Sequence, residues 1–226
     1  YKYLIVDEAH HLESASTSAL SFKLTQLDFV RMLREIGGIN SGLLGRMLNL
    51  LSHALPPSDY AALNQLVHKL TDQLFQLETS FNDFLHSLEI FMADQRDGQP
   101  VNSYGQQTRI LPATRTLPAW SDVEINWDDV FSVAESTLKR LDEFQKAISS
   151  GIENMPEDVE DTLGSIASLH RRLAESCDYM NQLVAKPDLG NVYWLEIQPN
   201  KFRLAMQAAR LNIGTQIEKV NWHEKD

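Results

Sequence analysis

The sequence predicts a mostly α fold: an antiparallel helical bundle with one long coiled-coil-like helix and small β segments near 108–125 and 191–206. Three observations predict it. Leu70, Leu74, Leu77, Phe81, Phe84, Leu88 and Phe91 recur at alternating spacings of four and three, the seam of a coiled coil. Val159, Leu163, Ile166, His170, Leu173, Cys177, Met180 and Val184 repeat that alternation, and a third helical stripe lies between the two. Gly, Pro and Asn gather in the 95–125 stretch, which breaks the helical period, and strand-like runs follow the bundle's end at Pro187 to Gly190.

Taken in order, Tyr3-Leu4-Ile5-Val6 is apolar on both faces and reads as a buried parallel-type strand. Asp7 and Glu8 stand at its carboxyl end, the edge where ligands bind in open α/β sheets. From His11 to about Leu55 the pattern turns helical in short pieces. Leu27, Val30, Leu33 and Ile36 form one stripe, stopped by Gly37-Gly38; GLLGRMLNLLSHAL forms a second piece, closed by Pro56-Pro57. Ser58 is the expected cap of the long helix, from about 59 to 94, which at 1.5 Å per residue spans roughly 50 Å. Residues 95–125 are expected to make a small β excursion or a partly mobile flap, with Thr108–Leu111 and Val123–Ile125 as strands. Asn126 is the expected cap of a helix over 127–150, with Val130, Ala134, Leu138, Leu141 and Ile148 as its stripe. Pro156 suits a first helical turn, and Glu157-Asp158 suit its positive end. Asn191–Ile197 and Phe202–Met206 read as strands joined by a turn at Pro199–Lys201.

Composition narrows the function. With 43% hydrophobic and 23% charged residues the chain is ordinary for a globular protein. A net charge of -11 argues against a surface broadly attractive to DNA, while leaving room for a local basic patch. No apolar run approaches the roughly 20 residues that span a bilayer, and no signal peptide is evident, so no membrane partner is expected. The one cysteine, Cys177, makes no internal disulfide and holds no iron–sulfur cluster alone, which fits a reducing cytoplasm.

The chemistry lies in Asp7-Glu8-Ala9-His10. A chain of this length holds that tetrapeptide by chance about once in a thousand, and a preceding buried strand makes chance rarer still. Its carboxylates suit a magnesium ion and the orientation of an attacking water. The bland alternative is a strand end with acids at a helix N-terminus. No GxxxxGK[ST] occurs in the sequence, so this chain is not expected to hydrolyse ATP by itself. A metal cluster of Glu8, His10, His11 and Glu13 is disfavoured, because the spacing is not HExxH and adjacent helical histidines diverge by about 100°.

An apolar strand, DEAH, HLE and a long helical insertion resemble the DinG and XPD branch of superfamily-two ATP-dependent DNA helicases, whose insertion after the DEAH strand is the Arch domain. VYWLEI followed by RLAMQAARLNIGTQI resembles the DinG-type return path toward the motor. The specific residues lie near the two ends; the middle matches in length, position and helical content. The resemblance implies translocation along single-stranded DNA, 5′ to 3′, with ATP and Mg2+ as cofactors of the intact parent and none for this fragment. It implies that Asp7 holds the magnesium, Glu8 activates water and His10 couples the nucleotide site to the motor; it gives no role to His11. Iron–sulfur cysteines in some members lie upstream of DEAH, outside this chain.

The expected division is a motor remnant over 1–19, an Arch-like insertion over 20–188 and return strands over 189–226. Candidate DNA contacts are Arg109 and Arg115 in the flap, Lys139 and Arg140 on one helix, and Arg171 and Arg172 on another, with Tyr104 and Trp120 as stacking aromatics. The alternative for each is a solvated charge or rim aromatic. His170 and Cys177 read as seam residues rather than ligands. The expected partners are single-stranded DNA, other helicase domains and accessory repair proteins, and the expected state is a monomer. The rival is a helical protein-docking module without DNA contact; a more distant one is a coiled-coil adaptor that oligomerises through the seams.

Overall fold

A computed structural model describes residues 21–101, 105–151, 155–198 and 203–211. The strand expected at Tyr3–Val6, the triad Asp7, Glu8 and His10, the aromatic Tyr104 and the turn at Pro199–Lys201 lie outside the described residues. In chain order come β1 (Phe22–Thr25), α1 (Gln26–Ile36), α2 (Gly42–Leu51), α3 (Pro57–Asp94), β2 (Gln106–Arg109), a 3-10 turn (Thr114–Thr116), α4 (Pro118–Gly151), α5 (Glu157–Val184), β3 (Asn191–Gln198) and β4 (Arg203–Arg210). The mostly α expectation, with small β segments, holds.

Local sequence explains where the helices start, and corrects three expectations. Thr25 closes a capping box on α1: the Asp28 N–H donates to Thr25 Oγ1 at 3.3 Å, and the Thr25 N–H donates to Asp28 Oδ2 at 3.2 Å. The buried face of α1 is Phe29, Met32, Leu33 and Ile36, so Leu27 is 41% exposed and only half of the expected stripe is core. The bulkier Phe29 takes the inward position, stacking on Phe81 at 3.9 Å between ring centroids. Pro57 opens α3, where a fixed φ and a missing N–H cost nothing. Ser58 therefore sits inside the helix, bonding Asp59 Oδ1 at 3.1 Å rather than capping, and α2 stops at Leu51, short of the prolines.

The largest correction is α4. Val123–Ile125 is not a strand and Asn126 is not a cap, because the helix already begins at Pro118. Trp120, Val123, Trp127 and Val130 are buried at spacings of three and four, a stripe that makes the segment continuous with the rest of the helix. Asn126 lies within it and donates from Nδ2 to the Asp122 carbonyl at 2.7 Å.

All seven seam residues of α3 are buried, and α3, about 57 Å long at 1.5 Å per residue, pairs with α4 along most of its length. Phe91 meets Trp120 edge-on at 4.9 Å, Phe84 meets Trp127 at 5.3 Å, and the Gln73 amide reaches the Ser136 hydroxyl. Rising numbers on one helix face falling numbers on the other, so the pair is antiparallel. The α4–α5 pair is antiparallel too, through Trp120 Nε1 to the Val184 carbonyl (3.4 Å), Trp127 Nε1 to Asn181 Oδ1 (3.2 Å) and Gln145 to His170 (3.2 Å). On α5 the predicted seam is broader than expected. Leu163 and His170 are half-buried at its edge, while Leu169 and Leu183 join the core, because α5 also packs on α1 and α2.

The strands form one antiparallel sheet in the order β1-β4-β3-β2. Thus Asn191–Gln198 and Arg203–Arg210 share their sheet with Phe22–Thr25 and Gln106–Arg109, which come from the segment assigned to the insertion. Leu24, Met206 and Leu195 align across three strands, and Ala208 with Tyr193 and Leu204 with Ile197 align across two; all are buried in the core shared with the helices.

Candidate nucleic-acid interface

Successive side chains of a strand point to opposite faces. Since Tyr193, Leu195 and Ile197 face the core, Val192, Trp194, Glu196 and Gln198 belong to the other face of β3. The register extends that face across the sheet. Arg109 pairs with Trp194, Trp194 with Gln207, and Gln207 with Lys23. One row therefore crosses all four strands, with a cation on each edge strand and an indole between them. Neighbouring strands lie about 4.8 Å apart, so the edge positions are about 14 Å apart. The next row holds Gln107, Glu196, Ala205 and Thr25.

Arg109 and Lys23 are exposed, and neither makes an ion pair among the described residues. Trp194 is half-buried, and its indole N–H is buried without an acceptor, so packing alone sets the ring. Glu196 is the one carboxylate of the two rows. It accepts from the Gln198 amide at 3.0 Å and from the Gln207 amide, so both of its oxygens are engaged.

The other predicted contacts fall elsewhere. Arg115 is a structural clamp: Nη2 donates to the Leu183 carbonyl at 2.7 Å, at the last turn of α5, and the guanidinium lies 5.6 Å from the Tyr193 ring centroid. Its Nε is buried without a partner, and burial pulls the guanidinium below its usual pKa, opposed by Tyr193 and Glu124. Trp120 is fully buried, with its indole N–H on the Val184 carbonyl, and is core rather than a stacking surface. Lys139 is exposed and Arg140 half-buried on α4; Arg171 and Arg172 are exposed on α5, where Arg172 lies 3.8 Å from Glu35. About 18 Å of helix separates Arg172 from Val184, near which Arg115 is held. The helix cations thus belong to α4 and α5, whereas Arg109 belongs to the sheet. Trp194, Lys23 and Gln207 were missed by the sequence reading, although the alternation in VYWLEI marks Trp194 and Glu196 as outward once Tyr193, Leu195 and Ile197 are taken as core.

A cavity of about 440 Å³ between α5 and β4 is lined by Glu175, Asp178, Asp188, Tyr179 and Arg210, a set whose acids repel a phosphate. Among the described residues no three His, Cys, Asp or Glu side chains group to hold a metal ion, and no helix is long and apolar enough to cross a membrane. Comparison with protein-family models, curated proteins and solved structures gave no match.

Proposed function

We propose that this chain is the Arch-like insertion of a DinG-type ATP-dependent DNA helicase, which guides or gates a single strand while the motor supplies ATP hydrolysis. The observation that carries the reading is that the first and last strands among the described residues are neighbours. β1 and β4 are sheet neighbours, with Phe22 paired to Ala208, so the two roots lie side by side. A domain whose ends meet can be set into a motor without disturbing it. The tetrapeptide Asp7-Glu8-Ala9-His10, preceded by an apolar run and standing before β1 in the sequence, supports the same placement. In that role Asp7, Glu8 and His10 serve the nucleotide and magnesium only with the rest of the motor present.

A second reading, a protein-docking module, is favoured by Phe75. It is 74% exposed on α3 beside a groove of about 400 Å³ that Leu33, Gly38 and Thr71 help line, so an apolar side chain of a partner would find an aromatic face and a recess side by side. Fluorescence anisotropy of a labelled single strand, titrated at low and then moderate salt, separates the two. Guidance predicts binding that weakens steeply with salt. A folded chain that leaves the strand free at tens of micromolar removes autonomous guidance and favours docking.

A further inference from the structure

We infer that the outer face of the sheet is the strand's seat: Trp194 stacks on a base, and Arg109 and Lys23 take the phosphates on either side. This rests on the guidance reading and gives it an address. Recognition of single strands without sequence preference combines cations that track the backbone with aromatic faces on which bases stack. Here both occur on one row, Arg109–Trp194–Gln207–Lys23, across four strands.

Charge decides which occupant fits. The chain carries -11 overall, and its α5–β4 cavity is acidic, yet the two rows of the sheet face hold two cations with no ion pair among the described residues and one carboxylate already engaged by two glutamine amides. A polyanion is repelled by most of this molecule and accepted here. The exposed part of Trp194 adds what a purely acidic partner has no use for, a stacking surface. Gln207 lies between Trp194 and Lys23; with its Nε2 donating to Glu196, its amide oxygen is left to accept from a base edge. The inner face is closed to any ligand, since Tyr193, Leu195, Met206 and Leu24 are buried against the helices.

The experiment is anisotropy of a labelled oligothymidine against the full chain and four variants, each checked for folding by thermal unfolding. Trp194→Ala is expected to weaken binding about tenfold or more, and Trp194→Phe by clearly less, because a smaller ring still stacks. Arg109→Ala and Lys23→Ala are each expected to weaken binding severalfold and to flatten the salt dependence by about 0.7 in the log–log slope. Polyglutamate, which has the charge without the bases, is expected to compete poorly. Wild-type binding that all four variants retain would overturn the sheet seat while leaving guidance standing, with Lys139, Arg140, Arg171 and Arg172 the next residues to change. Competition by polyglutamate equal to that by unlabelled oligothymidine would overturn the stacking role. Absence of wild-type binding would remove the guidance reading, and this inference with it.

Discussion

At the scale of single residues, burial sets chemistry as firmly as identity does. Cys177 lies on the inner side of α5, and burial pushes its thiol up to about 12, with the nearby Asp178 adding to the shift. An inert, neutral thiol follows. In the unfolded chain the same group ionises near its free value of about 8.5, so above that pH the unfolded state loses a proton that the folded state keeps. The stability this group contributes is complete below about pH 8.5 and falls by about 1.4 kcal/mol per pH unit until the folded value is reached. Urea unfolding at about pH 8 and about pH 10 is expected to show a steeper loss for the wild type than for Cys177→Ala. Equal slopes would mean that the thiol is not shielded. Trp120 and Trp194 make the same point, since one indole is sealed by Phe91 and the Val184 carbonyl, and the other lies half-open on the sheet.

At the scale of elements, the tightest constraint is the turn between α1 and α2. Gly37 and Gly42 both have positive φ, at 80° and 62°, and their backbones touch: a Cβ on Gly42 would lie 2.6 Å from Gly37 Cα and 2.7 Å from the Glu35 carbonyl oxygen. Gly42→Ala is expected to cost at least ~2 kcal/mol in urea unfolding, from the left-handed backbone and from atoms that have nowhere to move. Gly164→Ala is the opposite case. That glycine lies within α5 with nothing within 4 Å of its added Cβ, and alanine there is expected to stabilise by about 0.5–1 kcal/mol. The glycine stop at Gly37 was legible in sequence, as were the two long seams, because periodic burial leaves a periodic record. The start of α4 was not. Pro118 and Ser121 have loop-like composition and obscured the stripe of Trp120, Val123, Trp127 and Val130 that carries the helix back to Pro118, where Phe91 and the Val184 carbonyl hold Trp120. The sheet face was half legible. Arg109 was named from charge, but Trp194 and Lys23 join it only through pairings that cross most of the chain, and no local pattern records those.

At the scale of the whole molecule, one contiguous core runs from Leu24 through all five helices to Ala208. The seams that a coiled-coil adaptor would offer to another copy are consumed within the chain. On α3, Leu70, Leu77, Phe81, Phe84 and Leu88 are wholly buried, largely against α4. The net charge of -11 adds mutual repulsion between copies. Sedimentation velocity at rising concentration is therefore expected to give one species of monomer mass. Phe75, 74% exposed, is the residue best placed to upset that expectation. A dimer that Phe75→Ser dissolves would place a self-contact at the α1–α3 groove and leave the helical pairing intact. A dimer indifferent to that change would mean that the seams open to a partner after all, and would restore the adaptor reading. A monomer would leave the outer face of the sheet open to the proposed single strand, and the charge that holds copies apart would also repel that polyanion from the rest of the surface.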